Sequence, residues 1–334
     1  MPDIMKVDLS KNVINSFNTQ LDDIEKNKEL YSSKELGFLK TNLSIIQDVC
    51  RQHLENFTFL FPEEEGVDDE DEEAAKRKNE MLGTLSLFLK FFKRIEVLNE
   101  TEDIPAVFGT CFHNSAEFAI SVISCNVGEA GKSLSKCSML ARTVNGLTIY
   151  LRKLKVYEPV FSKYIKLYVR YCNLFSAFYE KEVIPFMVEE NKKHKHEGTT
   201  PLEFLMLYKR SLELFDALKE CGWTEAPPAI GELFVHHIVE WIWDCDKQFT
   251  AWNERIINAE TWTPISEDVY YSNSIIDIIG YLSTAKEELI ELRFGVAEGP
   301  SAAGKYAEEI WKAYSLVIHF HLPLYQIIYS FVFS

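Results

Sequence analysis

Glycine and proline are scarce in this chain, 14 and 11 among 334 residues. Turn-rich all-β folds draw heavily on both, so that class is disfavoured at the outset. Period-two alternation of apolar and polar residues is almost absent. No repeat of fixed length emerges either, which leaves a regular solenoid unsupported. The seven cysteines (50, 111, 125, 137, 172, 221 and 245) are odd in number, scattered and never arranged as C-x-x-C. They lie in apolar runs, such as VRYCNLF around Cys172, so reduced core thiols of a cytosolic protein are expected. The N-terminus, MPDIMKVDLSKN, lacks the apolar centre of a signal peptide. Basic residues are outnumbered 35 to 51, which makes a generic nucleic-acid binder a poor reading, because phosphate attraction needs concentrated Lys and Arg.

What is present points to helix. Hydrophobic residues make up 47% of the chain, too many for a disordered polymer. The length suits two or three packed units or one elongated stack. Apolar residues recur at three- and four-residue steps, predicting helices over 9–30, 33–61, 76–98, 104–126, 131–157, 159–193, 201–221, 228–259, 268–293 and 302–333. The net charge of −16 is concentrated: EEEGVDDEDEE at 63–73 holds nine acids and no base, leaving −7 for the other 323 residues. Its spacing does not match an EF-hand, so a solvated acidic loop is expected. Tyr150, Leu154, Tyr157, Phe161, Tyr164, Tyr168, Tyr171, Phe175 and Phe178 follow alternating steps of four and three, a 3.5-residue period over 29 residues. That seam predicts side-by-side helix packing, with Pro159 kinking or restarting the helix and each tyrosine hydroxyl seeking a polar partner. Beside it Arg152, Lys153, Lys155, Lys163, Lys166 and Arg170 form a basic stripe opposed in sequence only by Glu158. Such a stripe is either a solvated face or a contact for anionic lipid or an acidic partner.

Catalytic signals are weak. Gly299-Pro-Ser-Ala-Ala-Gly304-Lys305 imitates a phosphate loop, but Tyr306 replaces the Mg²⁺-holding hydroxyl. Asn126-Val-Gly-Glu-Ala-Gly131-Lys132-Ser133 lacks the first glycine. Neither follows an α/β alternation, so inter-helix loops are expected at both. His194 and His196 lie in a Lys-rich connector, while His236-His237 and the pair His319 and His321 diverge on a helix. No cofactor, metal or small-molecule substrate is expected, and no enzyme. The uncharged stretch 316–334, LVIHFHLPLYQIIYSFVFS, is long enough to span a bilayer but carries His, Pro, Gln and Ser, so a core helix is expected there.

From Leu202 to about Tyr325 the chain resembles the first Munc homology domain, part of the MUN domain of the Munc and CAPS exocytosis priming proteins. The residues that carry this likeness are FLMLYKRSLELFDAL (204–218), ELFVHHIVEWI (232–242) and WNERIINAETWTPISEDVYYSNSIIDIIGYL (252–282). Within the last, Trp262, Pro264, Ser266, Tyr271, Ser272, Ser274, Ile275, Ile276 and Asp277 form the recognisable core, and each has a structural reading: Pro264 and Ser266 start a helix, and the isoleucines face a core. The resemblance implies an all-α fold, an elongated stack of antiparallel helical bundles like the rods of tethering complexes such as exocyst. The expected organisation is N-terminal helices at 1–62, an acidic disordered loop at 63–75, a helical rod segment at 76–200, and the Munc homology-like domain at 201–334.

The same resemblance implies a non-enzymatic vesicle priming or tethering module. It would bind SNARE proteins of the syntaxin type, with a Sec/Munc protein as a further partner, and promote SNARE assembly in exocytosis. The implied location is cytoplasmic, peripheral to vesicle or plasma membrane. The basic stripe would meet an acidic SNARE surface or anionic lipid. Some members carry an Asn-x-x-Phe site upstream for the syntaxin linker, and its nearest counterpart here is Asn79-Glu80-Met81-Leu82. The match stops before the second Munc homology domain, and no calcium- or diacylglycerol-sensing module accompanies it, so calcium control and full membrane bridging are not implied. Two alternatives stand beside this reading: an exocyst-like subunit that binds small GTPases or other tether subunits, and a helical scaffold of unrelated role.

Overall fold

A computed structural model describes residues 11–61, 72–99, 101, 103–130, 134–193, 199–225 and 230–259, with 276–277, 280, 284, 287 and 291–292 beyond them. Among the described residues there is no strand. The protein is an all-α helical bundle. Its helices are α1 (Lys11–Lys26), α2 (Ser33–Glu55), α3 (Phe57–Leu60), α4 (Glu72–Leu98), α5 (Ile104–Ala130), α6 (Lys136–Lys153), α7 (Glu158–Phe161), α8 (Leu167–Phe178), α9 (Ile184–Glu190), α10 (Pro201–Glu220) and α11 (Ile230–Ala259).

Local chemistry sets these boundaries. Ser32 and Glu35 form a reciprocal capping box at the start of α2. Thr200 and Glu203 do the same for α10, with Pro201 at its first position, where the missing amide hydrogen costs nothing. α10 ends on Gly222 at φ +82°, a left-handed residue that lets the Trp223 amide reach back to the Leu218 carbonyl and the Gly222 amide to Lys219. That is the Schellman arrangement, and it favours the residue without a Cβ.

The expected helix at 159–193 is broken. A 3₁₀ turn at Leu154–Tyr157 precedes α7, which carries Pro159 in its first turn. α8 starts only at Leu167, and a π turn at Tyr179–Val183 leads into α9. Pro159 accounts for the 3₁₀ turn before α7 and Pro185 for the π turn before α9, because neither can donate the amide bond that a continuous helix needs; the break at 162–166 holds no proline. The burial pattern survives the breaks: Leu154, Tyr157, Phe161, Tyr168, Tyr171 and Phe175 are all buried. Other boundaries also differ from the sequence reading: α1 ends at Lys26 and α2 at Glu55, each followed by a separate short turn of helix. α4 begins at Glu72, so the end of the acidic run is helical; α5 continues to Ala130; and α6 begins at Lys136. The helical residues 276, 277, 280, 284, 287 and 291 agree with the helix expected over 268–293. Residues 302–333 lie outside the described residues.

The chain divides into two compact units. One comprises Met1–Asn126, Leu147–Ala177 and Ala217–Trp223; the other comprises Val127–Gly146, Phe178–Asp216 and Thr224–Ser334. In the first, α1 and α2 pack on α4, whose Leu85, Phe88, Leu89, Phe92 and Ile95 are fully buried at helical spacing. Phe57 is the hub of an aromatic core, with ring centroids 5.0 Å from Phe161 and 5.1 Å from Tyr157, both edge-on. Three of the seam tyrosines find the partners their hydroxyls require: Tyr157 donates to the Phe61 carbonyl at 2.6 Å, Tyr171 donates to Ser115 at 2.9 Å, and Tyr150 lies 3.1 Å from the Thr58 hydroxyl, whereas the buried Tyr168 hydroxyl has no hydrogen-bond partner among the described residues. Arg94 of α4 meets Asp22 and Glu25 of α1, at 2.7 and 2.8 Å.

In the second unit Tyr208 packs on Phe234, and the His237 ring stacks on Phe204 with centroids 3.8 Å apart, so α10 and α11 meet along one side. Asn191 fixes the same corner by donating to the Leu233 carbonyl at 3.0 Å while its oxygen lies 2.8 Å from His237 Nε2. The Tyr208 hydroxyl donates to the Leu292 carbonyl at 2.9 Å.

Candidate functional site

The basic stripe belongs to the first unit, and its residues divide into two groups. Arg152, at the end of α6, is exposed and Lys153 is half-buried. Lys155 pairs with Glu220, whose carboxyl is held low by that hydrogen bond and charge and, more weakly, by Arg152. Sequence reading missed this pairing, since 65 residues separate the partners and no local signal links them. The second group is Lys163, Lys166 and Arg170, all exposed. Among the described residues, no carboxylate lies within ion-pair distance of these three. Their backbone is held rather than loose. Tyr164 stacks on Phe108 of α5 at 5.6 Å, and the Tyr164 and Ile165 amides both bond to the Phe161 carbonyl. The Arg170 guanidinium lies over Gly109, where a Cβ would stand 3.2 Å from Nη2. Exposed Val169 accompanies these cations. The result is a fixed positive surface on an acidic protein.

The other proposed partner residues are not brought to that surface by any described contact. Asn79 is exposed and Leu82 half-buried on α4. Of the motif residues, Ile276 and Asp277 are helical and exposed, so Ile276 does not face a core as expected. Its side chain is 49% exposed. Trp262, Pro264, Ser266, Tyr271, Ser272, Ser274 and Ile275 lie outside the described residues.

Two concavities were not foreseen. One, of about 510 Å³, is a mostly apolar groove along the α1–α2 junction, walled by Ile24, Tyr31, Phe38 and Leu39 with Lys34 and Glu35 at its edge. Phe38 there is 74% exposed. The other, in the second unit, is about 600 Å³ and mixes Lys136, Lys181 and Lys193 with Glu182, Glu189 and Glu190, so its charges cancel locally. Among the described residues no group of three or more His, Cys, Asp or Glu is placed to hold a metal ion, and no helix is long and apolar enough to cross a membrane.

The phosphate-loop imitation at 126–133 is corrected in part: Asn126 to Ala130 are the last residues of α5 rather than an inter-helix loop. Helical amides are spent on the helix's own carbonyls and cannot cradle a phosphate. Gly131 to Ser133 and Gly299 to Lys305 lie outside the described residues, as do His194, His196, His319 and His321. His237 is buried and His236 exposed, so the two diverge as the helix requires. The expectation of core thiols holds for Cys50, Cys111, Cys137 and Cys172; Cys125 is exposed, and Cys221 and Cys245 are half-buried. Compared with known proteins, the chain matches no family model and no curated protein.

Proposed function

We propose that this protein is a non-enzymatic helical docking module of the MUN type, acting in vesicle priming or tethering by binding SNARE proteins of the syntaxin class. The observation that carries the reading is the fixed, exposed trio Lys163, Lys166 and Arg170, a surface suited to an acidic amphipathic helix. Two further features support it. The fold is all-α, and the stretches 204–218 and 232–242 that resemble a Munc homology domain lie in α10 and α11, which pack through Tyr208–Phe234 and Phe204–His237. Helical modules of this kind accept partner helices along their surfaces, with charge setting the rate of encounter more than the final affinity. To promote assembly the module must bind an assembly-competent SNARE conformation more tightly than a closed one, since a ligand shifts an equilibrium only by its differential affinity. The corresponding location is cytoplasmic, at the surface of a vesicle or target membrane.

The test is titration of the purified chain against a syntaxin cytoplasmic fragment. Saturable binding that weakens with salt is expected. Absence of binding at high micromolar protein overturns the proposal, and a pull-down rich in small GTPases or tether subunits but lacking SNAREs replaces it with the exocyst-like reading.

A further inference from the structure

Phe38 and Ile45 of α2 are large, apolar and 74% and 58% exposed, and the groove walled by Tyr31, Phe38 and Leu39 opens beside them. They belong to a row on the outer face of the helix, Lys34, Phe38, Thr41, Ile45 and Asp48, whose members recur at steps of four and three and are all exposed. That spacing keeps the five side chains in one narrow stripe along about 21 Å of helix. Read backwards, the row is its own complement. It has a cation at one end, an anion at the other, an apolar side chain inside each, and Thr41 at the centre. Among the described residues neither Lys34 nor Asp48 makes an ion pair within its own chain, and Arg51, three residues past Asp48, is committed to Glu96. Glu35, at the edge of the groove, is taken up by Ser32, whose amide and hydroxyl both donate to it. The Thr41 hydroxyl already donates to the Gly37 carbonyl at 3.1 Å, so it stays bonded when this face is covered.

We propose that this face binds a second copy of the same chain, the two α2 helices lying antiparallel about a two-fold axis at Thr41. Each residue then comes level with the one lying equally far on the other side of Thr41. Lys34 therefore meets Asp48 of the second copy at both ends of the contact. Phe38 packs beside the second copy's Ile45, which stands level with Gly37, opposite the middle of the groove. A contact of this kind uses one patch twice and closes at two subunits. A parallel pair would set Lys34 against Lys34 and Asp48 against Asp48, so charge selects the antiparallel sense. The aromatic and aliphatic side chains supply the attraction, since exposed ion pairs add little affinity. One pair of helices is a small interface, so a concentration-dependent dimer is expected, with Kd on the order of tens of micromolar.

The experiment is analytical ultracentrifugation of the full chain from low to several hundred micromolar, under reducing conditions. A reversible monomer–dimer equilibrium is expected. Phe38→Asn combined with Ile45→Asn is expected to weaken it at least about tenfold, with the melting temperature at low concentration kept because both side chains are exposed. Lys34→Glu alone and Asp48→Lys alone are each expected to weaken it about three- to fivefold. The double variant Lys34→Glu, Asp48→Lys, which restores opposite charges across the axis, is expected to regain the wild-type constant. Disulfide trapping fixes the direction. Under mild oxidation Thr41→Cys is expected to give a linked dimer above the wild-type background, which exposed Cys125 sets. Lys34→Cys is not, because its two copies lie about 21 Å apart along the helices. A chain that stays monomeric at several hundred micromolar overturns the proposal. So does a dimer that survives the paired Phe38 and Ile45 substitutions, and so does ready linkage of Lys34→Cys, which reports parallel helices.

Discussion

Single buried polar groups carry much of the specificity of the first unit. Glu96 of α4 has a fully buried side chain whose oxygens accept from Arg51 Nε and Nη2, both at 2.8 Å, from Gln47 at 2.6 Å and from Thr101 at 2.6 Å. Burial alone pushes its carboxyl upward, but the bonds from Arg51, Thr101 and Gln47 outweigh that and hold it below the ordinary value. A carboxylate with a depressed folded pKa adds stability that is complete above about pH 4.3 and disappears as pH falls through the folded value. Glu96→Gln is therefore expected to cost roughly 2–3 kcal/mol at pH 7, discounted because Arg51 is a third exposed. It is also expected to flatten the acid side of the stability profile; urea melts at pH 7 and pH 4 read both. Tyr157→Phe strands the Phe61 carbonyl without filling any space, so a loss of about 1–2 kcal/mol with unchanged helicity is expected in the same melts.

At the scale of elements, the junction of α6 and α10 rests on one carboxylate. Glu203 accepts from Ser135 and Ser138, both at 2.6 Å, and from the Thr200 amide at 2.7 Å, so it closes the α10 capping box and ties down the start of α6. Glu203→Ala removes these bonds and is expected to cost about 2 kcal/mol, more than the roughly 1 kcal/mol of an isolated cap; Ser138→Ala, which removes one of them, should reproduce only part of that loss. Gly222→Ala places a Cβ at φ +82° in open space, so the cost is backbone strain alone, about 1 kcal/mol in a thermal or urea melt. Much of this level was legible beforehand. Thr200-Pro201 and Gly222 announce their helix ends because capping and left-handed turns are local chemistry. Pro159 likewise announced a restart. The Glu203–Ser135 bond was not legible, since it joins residues 68 apart, and neither was the π turn before Pro185, where a single proline is relieved by one extra residue instead of a break. The same contrast holds at the candidate surface. The stripe of cations can be read off the chain, but the neutralisation of Lys155 by Glu220 depends on how α10 ends beside the 3₁₀ turn. The groove at Phe38 escaped notice because a helical apolar period predicts burial, whereas Phe38 in the first turns of α2 is 74% exposed.

At the scale of the whole molecule two fields oppose each other. The chain carries −16, of which the run at 63–73 supplies −9, and this repels any acidic partner at long range. Lys163, Lys166 and Arg170 attract it at short range. Screening separates the two, since the Debye length is about 30 Å at 10 mM salt and about 8 Å at 0.15 M. At low salt the partner feels the net charge early in its approach; near physiological salt it feels mainly the surface it touches. Replacing the nine acids of 63–73 by Asn and Gln, which brings the net charge to −7, is therefore expected to raise the association rate for an acidic syntaxin fragment several-fold at 10 mM salt. That gain should largely vanish at 0.15 M. The triple charge reversal Lys163→Glu, Lys166→Glu and Arg170→Glu is expected to slow association about tenfold at both ionic strengths, with the melting temperature nearly unchanged because all three side chains are exposed. Stopped-flow mixing of wild type and the two variants measures these rates directly. If the reversal leaves the rate untouched while the neutralised run changes it, the partner is meeting the global field, and the contact lies elsewhere on the molecule.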